Sequence, residues 1–416
     1  MANKHSKTVV VIGGGAAGFF CAINVAQDSR IKVILLEKTT KFLSKVRVSG
    51  GGRCNVTNAW EDTPSFSDNY PRGSKFLRKA FSEFNNKDTV QWFKNHGVSL
   101  KTEPDGRMFP SSNTSETIVD CLMDEAVKLD VELRTKTYAE AITPKDHQYI
   151  IALNNGGEIL ADFVVIATGG YPKKEMYDWV QDNLTQQAIA APIPSLFTFN
   201  LPKNPICELM GLSVPNAVVK ILGTKIQEQG PLLVTHWGLS GPVILRSSAW
   251  GASILHEKQW NFDIVVNWIP EYNEEAMSLY LLQEQSQNAT RKIVNKNPFQ
   301  LPTRLWSYFL SIAEIEEEET WANLKAKQRN KLAKTLCNQQ FEVRGKTTFK
   351  EEFVTAGGFE LKNIDVKTMQ SKLYPNVFVV GEALNIDGIT GGFNFQNAWT
   401  TSFIAAKSML KQLDEQ

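Results

Sequence analysis

Four consecutive apolar residues, Val9 to Ile12, run straight into Gly13-Gly14-Gly15-Ala16-Ala17-Gly18, an apolar helical stretch follows from Ala16 to Ala26, and a second apolar run, Ile31 to Leu36, ends at Glu37. That succession predicts strand, tight turn, helix and second strand. Farther along, the periods predict helices near Lys87 to His96 and Ser115 to Leu129, and strands at Val131 to Arg134, Tyr149 to Leu153 and Asp162 to Ala167, the last apolar on both faces and ending in Thr168-Gly169-Gly170. From Ile189 to Pro205 the texture changes to a proline-rich connector, and short strands separated by turn residues continue to about Trp268. Helical periods then run from Glu274 to about Asn338, broken at Pro298 and Pro302, with the acidic run Glu316 to Glu319 read as a solvated helix end or loop. The α/β texture returns at Glu352 to Thr355, Ala356-Gly357-Gly358 and Asn376 to Val380, so a nucleotide-binding domain interrupted by an insertion explains the order.

In the first unit Gly13 suits the tight turn, Gly15 the approach of a pyrophosphate and Gly18 the close packing of helix on strand, while the helix start offers unpaired N–H groups and a positive dipole end. Glu37, nineteen positions after Gly18, suits the two ribose hydroxyls of an adenosine and repels a 2′-phosphate, which favours FAD or NAD over NADP at this site.

Composition narrows the partners. Lys plus Arg number 45 against 44 Asp plus Glu, so no net field draws nucleic acid or an anionic membrane, and neither is expected as a partner. The five cysteines form no CxxC pair, which argues against a metal site, a disulfide framework and a dithiol centre. No window reaches eighteen uninterrupted apolar residues, and the apolar start is too short for a signal peptide, so the expected location is cytoplasmic.

Two further glycine-rich segments carry candidate chemistry. Strand Val377 to Val380 leads into Gly381-Glu382 and then Asp387-Gly388-Ile389-Thr390-Gly391-Gly392-Phe393-Asn394, which opens a helix from Phe393 to Leu410. A nicotinamide dehydrogenase needs no second strand-loop-helix there. A flavin enzyme does, to hold the ribityl chain and to aim a helix N-terminus at the ring edge that gathers negative charge on reduction. The other segment, Lys45 to Asn58, contains Ser49-Gly50-Gly51-Gly52-Arg53-Cys54-Asn55, which suits a backbone passing close to a flat ligand and equally a mobile surface loop.

Together with Gly106-Arg107-Met108-Phe109-Pro110, Ala167-Thr168-Gly169-Gly170, Thr235-His236-Trp237-Gly238-Leu239-Ser240-Gly241-Pro242, Thr355 to Gly358 and Thr368 to Lys372, these segments resemble the BaiN/RdsA-like, YhiN-type flavoproteins of the two-dinucleotide-binding-domain class along nearly the whole chain. The resemblance implies a Rossmann-like α/β fold: an FAD-binding domain from residues 1–189 and 342–416, and an inserted domain at 190–341 with a small β-barrel part (190–270) and a helical part (271–341). It implies that Gly13, Gly15, Ala16, Ala17 and Gly18 meet the pyrophosphate, Glu37 and Lys38 the adenosine ribose, and the strand start near Ala139 the adenine. It further places Lys45, Ser49, Gly51, Gly52, Arg53 and Cys54 on the ring side, and Glu382, Asp387, Gly392, Phe393 and Asn394 on the ribityl and pyrimidine side, with Ala167, Thr168, Gly169 and Gly381 completing the cofactor set. The chain departs from the family at Asn385, where an Asp is frequent, and at Thr401-Ser402-Phe403, where a small Ser-Gly pair is frequent.

The expected activity is an FAD-dependent oxidoreductase acting on a small organic molecule. No second GxGxxG appears, so NAD(P)H, if it is the electron donor, docks transiently. His236 is either an acid–base group or a residue holding a turn, and Arg107 is either a substrate clamp or half of a surface ion pair. A flavin-dependent RNA-modifying protein and a non-enzymatic redox sensor are the alternatives, and a monomer and a homodimer both remain open.

Overall fold

In the computed structural model, residues 7–61, 63–181, 184, 188–347 and 354–415 are described. The chain divides into two compact units, residues 1–195 with 349–416 and residues 196–348.

The first unit is built on a parallel sheet of β1 (Lys7–Ile12), β2 (Ile31–Leu36), β3 (Glu132–Arg134), β4 (Phe163–Ile166) and β5 (Val377–Val379), in the order β5-β4-β1-β2-β3. Ile12 stands opposite both Leu36 and Ile166, so three strands end together at the glycine turn. Continuous apolar strands are what a parallel sheet covered on both faces requires, and Val9, Val10, Val11, Val164 and Val165 are fully buried. The opening helix (Ala16–Val25) is almost wholly buried, which explains why its sequence shows no polar stripe. It packs against the terminal helix (Phe393–Asp414), where Ser402 Oγ donates to the Ala17 carbonyl at 2.8 Å. Smaller antiparallel sheets pair Ile189–Ser195 with Val354–Phe359, join Ala139–Lys145, Gln148–Leu153 and Glu158–Ala161, and join Thr57–Asn58, Arg107–Pro110 and Leu100–Thr102. Part of the strand expected over Glu352 to Thr355 lies outside the described residues; Val354 and Thr355 open the described strand.

The second unit is a barrel with helices. Its seven antiparallel strands follow the order Gln339–Arg344, Asn261–Asn267, Ser213–Ile221, Gln227–Thr235, Gly238–Ser240, Thr198–Asn200, Lys346–Thr347. The two end strands are consecutive in the chain. Gly345, at φ 89°, turns between them, donating to the Trp260 carbonyl at 2.9 Å and accepting from the Asn200 N–H at 3.3 Å, so one bent segment links the two ends of the sheet order into a ring. Strand Gln339–Arg344 of this sheet runs through position 341, and helix Pro242–Glu257 lies among its strands in sequence. Helices Glu274–Gln287, Thr303–Ile312 and Ala326–Cys337 share one apolar core with the barrel, through Met277, Trp306, Leu336 and their neighbours. Among the described residues no helix is long and apolar enough to cross a membrane.

Candidate functional site

Each glycine of the first turn has a distinct structural duty. Gly13, at φ +119°, has room for no side chain: a Cβ there would fall 2.3 Å from the Ala167 carbonyl oxygen. At Gly18 a Cβ would fall 1.9 Å from the Gly13 oxygen, so only glycine lets the helix cross so close to the turn. At Gly15 a Cβ would meet nothing within 4 Å. That opening lies at the uncapped start of the opening helix, where Gly15 is the N-cap and Ala16 and Ala17 follow. Glu37 closes the far side, its two carboxylate oxygens accepting the N–H groups of Gly14 (3.0 Å) and Thr39 (2.7 Å). The Lys38 ammonium lies 5.1 Å from the Tyr138 ring centroid, and the Thr137 N–H donates to the Glu37 carbonyl, which brings the strand starting at Ala139 beside the acidic residue.

The second glycine segment is not a plain loop. Ser44–Gly52 is a helix that breaks at Ser49, Gly50 and Gly51, because Gly50 and Gly51 take positive φ values of 59° and 69°. Gly51 and Gly52 are exposed, and a Cβ on either would touch nothing within 4 Å. The Arg53 guanidinium stacks 4.0 Å from the Phe109 centroid and pairs with Glu103 at 3.2 Å. The Cys54 side chain is fully buried, and burial pushes its thiol up to about 12, so it is no nucleophile at neutral pH.

Contacts far apart in sequence bring the three glycine segments together. Lys45 Nζ meets Glu382 Oε2 at 2.8 Å, and Glu382 Oε1 accepts the Thr355 N–H at 2.9 Å beside the Ala167-Thr168-Gly169-Gly170 turn. Gly381 abuts Ala17: a Cβ there would stand 2.7 Å from that methyl. Asn58 Nδ2 donates to the Gly391 carbonyl at 3.0 Å, and Gly392, the uncapped start of the terminal helix at φ 92°, lies against the backbone of Thr57.

Asp387 and Asn394, also of the expected cofactor set, have their side-chain polar atoms bonded to protein groups. Asp387 is fully buried, its carboxylate held by Arg72 and by Ser195 Oγ at 2.7 Å. Burial raises its carboxyl above the ordinary range, and the Arg72 guanidinium opposes that. The Asn394 side chain exchanges two hydrogen bonds with the Gly388 backbone, at 2.8 and 2.9 Å. The departures at Thr401 and Phe403 are accommodated by packing and hydrogen bonding. Thr401 Oγ1 accepts the Gly381 N–H at 2.8 Å, and Phe403 stacks on Phe84 with centroids 4.4 Å apart. Asn385 Oδ1 and Thr355 Oγ1 are buried without a hydrogen-bond partner.

His236 belongs to the second unit, and Arg107 stands opposite Asn58 in the small antiparallel sheet of the first. Arg107 is on a hairpin, paired with Asp105 at 2.7 Å. His236 is exposed on the turn between Gln227–Thr235 and Gly238–Ser240, edge-on to Trp237 with centroids 4.1 Å apart. The turn is held by Thr235 Oγ1 on the Gly238 carbonyl (3.1 Å) and Trp237 Nε1 on Thr198 Oγ1 (3.0 Å), not by the imidazole. His236, Trp237, Lys203 and Glu208 help line an open cavity of about 510 Å³. Sequence reading missed Tyr70 and Arg72, whose partners Phe393 and Asp387 are more than three hundred positions away and whose single local trace is the turn signal Pro71-Arg72-Gly73, and it missed Gln396, which accepts from Thr57 Oγ1.

The groups present suit a flavin dinucleotide. Space at Gly15, Gly51 and Gly52 and two uncapped glycine helix starts make a backbone cradle, and the buried side-chain oxygens of Thr355 and Asn385 are left unpartnered.

Comparison with known proteins agrees with this architecture. Residues 7–408 match the family described as HI0933-like protein Rossmann domain. A ribosomal RNA dihydrouridine synthase of Escherichia coli (strain K12) is 27% identical over 410 residues, covering 96% of this chain and 97% of that protein. A 3-dehydro-bile acid delta(4,6)-reductase of Clostridium scindens is 24% identical, covering 96% and 98%. The fold is also similar to a crystal structure of 3-ketosteroid delta1-dehydrogenase from Sterolibacterium denitrificans, at a TM-score of 0.50 and 11% identity, covering 99% of this chain and 100% of that one.

Proposed function

The chain belongs to the HI0933-like Rossmann-domain family, and from that premise we propose that it is an FAD-dependent oxidoreductase that reduces a carbon–carbon double bond conjugated to a carbonyl in a small organic molecule, with NAD(P)H as donor. The observation that carries the flavin reading is the meeting of two uncapped glycine helix starts in one unit, the first at Gly15 and the second at Gly392. A nicotinamide fold needs the first start; the second serves a ring that gathers negative charge.

In this reading the N–H groups of Gly15, Ala16 and Ala17 hold the pyrophosphate, and Glu37 accepts the adenosine ribose hydroxyls. The Lys45–Glu382 pair holds the ribityl side, and the N–H group of Phe393, the first residue of the terminal helix, faces the pyrimidine edge. Bound FAD supplies a two-electron donor and acceptor. The Ser49 to Gly52 backbone leaves a flat passage at the ring and contributes no side chain larger than Ser.

The substrate class follows from what the two relatives' names share chemically. A 3-dehydro-bile acid with double bonds at carbons 4 and 6 is a conjugated ketone, and the uracil that becomes dihydrouracil is a double bond conjugated to a carbonyl. The near-neutral charge, 45 basic against 44 acidic residues, favours a small molecule. Uridine in ribosomal RNA is the second reading, favoured by the full-length likeness to the Escherichia coli enzyme.

Anaerobic titration of the purified protein with NADH and with NADPH, followed at the flavin absorbance, tests the donor. Reoxidation by a conjugated steroid ketone, against reoxidation by unmodified ribosomal RNA, separates the two substrate readings. Retained FAD with no turnover of any donor or acceptor would leave a redox sensor instead.

A further inference from the structure

The loop that opens the terminal helix is gripped by one short segment from much earlier in the chain. The Ile389 N–H donates to the Asn69 carbonyl at 3.0 Å. Tyr70 Oη donates to the Phe393 carbonyl at 2.7 Å, from a ring that is 1% exposed. Arg72 takes both oxygens of the buried Asp387 carboxylate and forms a backbone bridge with the same residue. Gly73 lies against Ile386, so closely that a Cβ there would stand 2.6 Å from the isoleucine side chain. From the other side Ser195 Oγ donates to Asp387 Oδ2.

We propose that residues 69–73, with Ser195, form a brace that aims the Gly391-Gly392-Phe393 backbone at the flavin, and that Asp387, Arg72 and Tyr70 are positioning residues rather than cofactor ligands. This rests on the flavin reading above. The loop needs such a brace because it has little stiffness of its own: Gly388, Gly391 and Gly392 lie within five positions, two of them at positive φ. A helix N-terminus stabilises developing charge only while its N–H groups stay aimed at it. A bidentate arginine–carboxylate pair fixes orientation as well as distance, so a buried one suits that task. The carboxylate family members are implied to offer to FAD is thus spent, in this chain, on holding the backbone that does the binding.

The brace is tested with Tyr70→Phe, Arg72→Lys and Ser195→Ala by three readouts: thermal unfolding of the apoprotein, the FAD dissociation constant and the midpoint potential of bound FAD. The expected result for Arg72→Lys is a dissociation constant raised about tenfold, the effect of losing one charge-assisted hydrogen bond, with a more negative potential because reduced flavin loses stabilisation. Tyr70→Phe and Ser195→Ala each remove a single hydroxyl and shift both quantities the same way by less, which keeps the test decisive even if Arg72→Lys folds poorly. Wild-type affinity and potential in all three variants, with only the unfolding temperature lowered, would overturn the brace. A wild-type protein that takes up no FAD would overturn the flavin reading and the brace with it.

Discussion

The two helices that begin at the candidate cofactor site start in different ways. The opening helix begins on a turn packed too tightly for side chains: Gly18 against Gly13 and Gly13 against the strand-end residue Ala167, with Gly14 bonded to Glu37. The terminal helix begins on a loop that distant side chains hold, from Asn58, Tyr70 and Arg72. One start is shaped by steric exclusion at glycines and the other by buried polar contacts. Mutations should therefore damage them by different routes.

The largest effect is expected at the braced start. Arg72→Met leaves the Asp387 carboxylate buried without its partner, which costs about 3–5 kcal/mol and should show as a large drop in the unfolding temperature of the apoprotein. At the glycine start, Gly18→Ala drives a methyl to 1.9 Å from the Gly13 oxygen; the cost expected is about 3 kcal/mol, again read on the apoprotein. Gly15→Ala sharpens the contrast. Its Cβ meets no protein atom within 4 Å, so apoprotein stability should change by less than about 1 kcal/mol while FAD affinity falls at least tenfold, measured by equilibrium titration. Equal loss of stability in Gly15→Ala and Gly18→Ala would erase the distinction between packing glycine and ligand glycine. The smallest effect is at Cys54, whose thiol is pushed up to about 12 by burial. The thiolate fraction rises with pH, yet at pH 8 it stays negligible, so iodoacetamide should leave Cys54 unmodified in the folded protein and label it on unfolding, as peptide mapping would show.

The same contrast explains what could be read from the chain. The strand–turn–helix–strand from Val9 to Glu37 was legible because each of its signals lies within thirty positions and each follows from local sterics. The paired glycine segment at Gly381 to Asn394 was legible as a helix start for the same reason. Its brace was not, since Tyr70 and Arg72 carry no signal until the fold sets them beside Phe393 and Asp387. The break in Ser44–Gly52 was half legible: the glycines marked an irregular stretch, while the helical turn before them had no pattern of its own. The barrel was legible as short strands and turns. Its closure depends on Gly345, one glycine among many in the sequence. His236 was singled out by its motif, and the finding that Thr235 and Trp237 hold its turn required side-chain geometry.

The central claim is that both ends of the chain meet to hold one flavin dinucleotide. Titration of the apoprotein with FAD, followed by calorimetry, tests it most directly. The account predicts saturable uptake of one FAD per chain, weakened separately by Gly15→Ala and by Arg72→Lys; absence of uptake by the folded wild-type protein would contradict it.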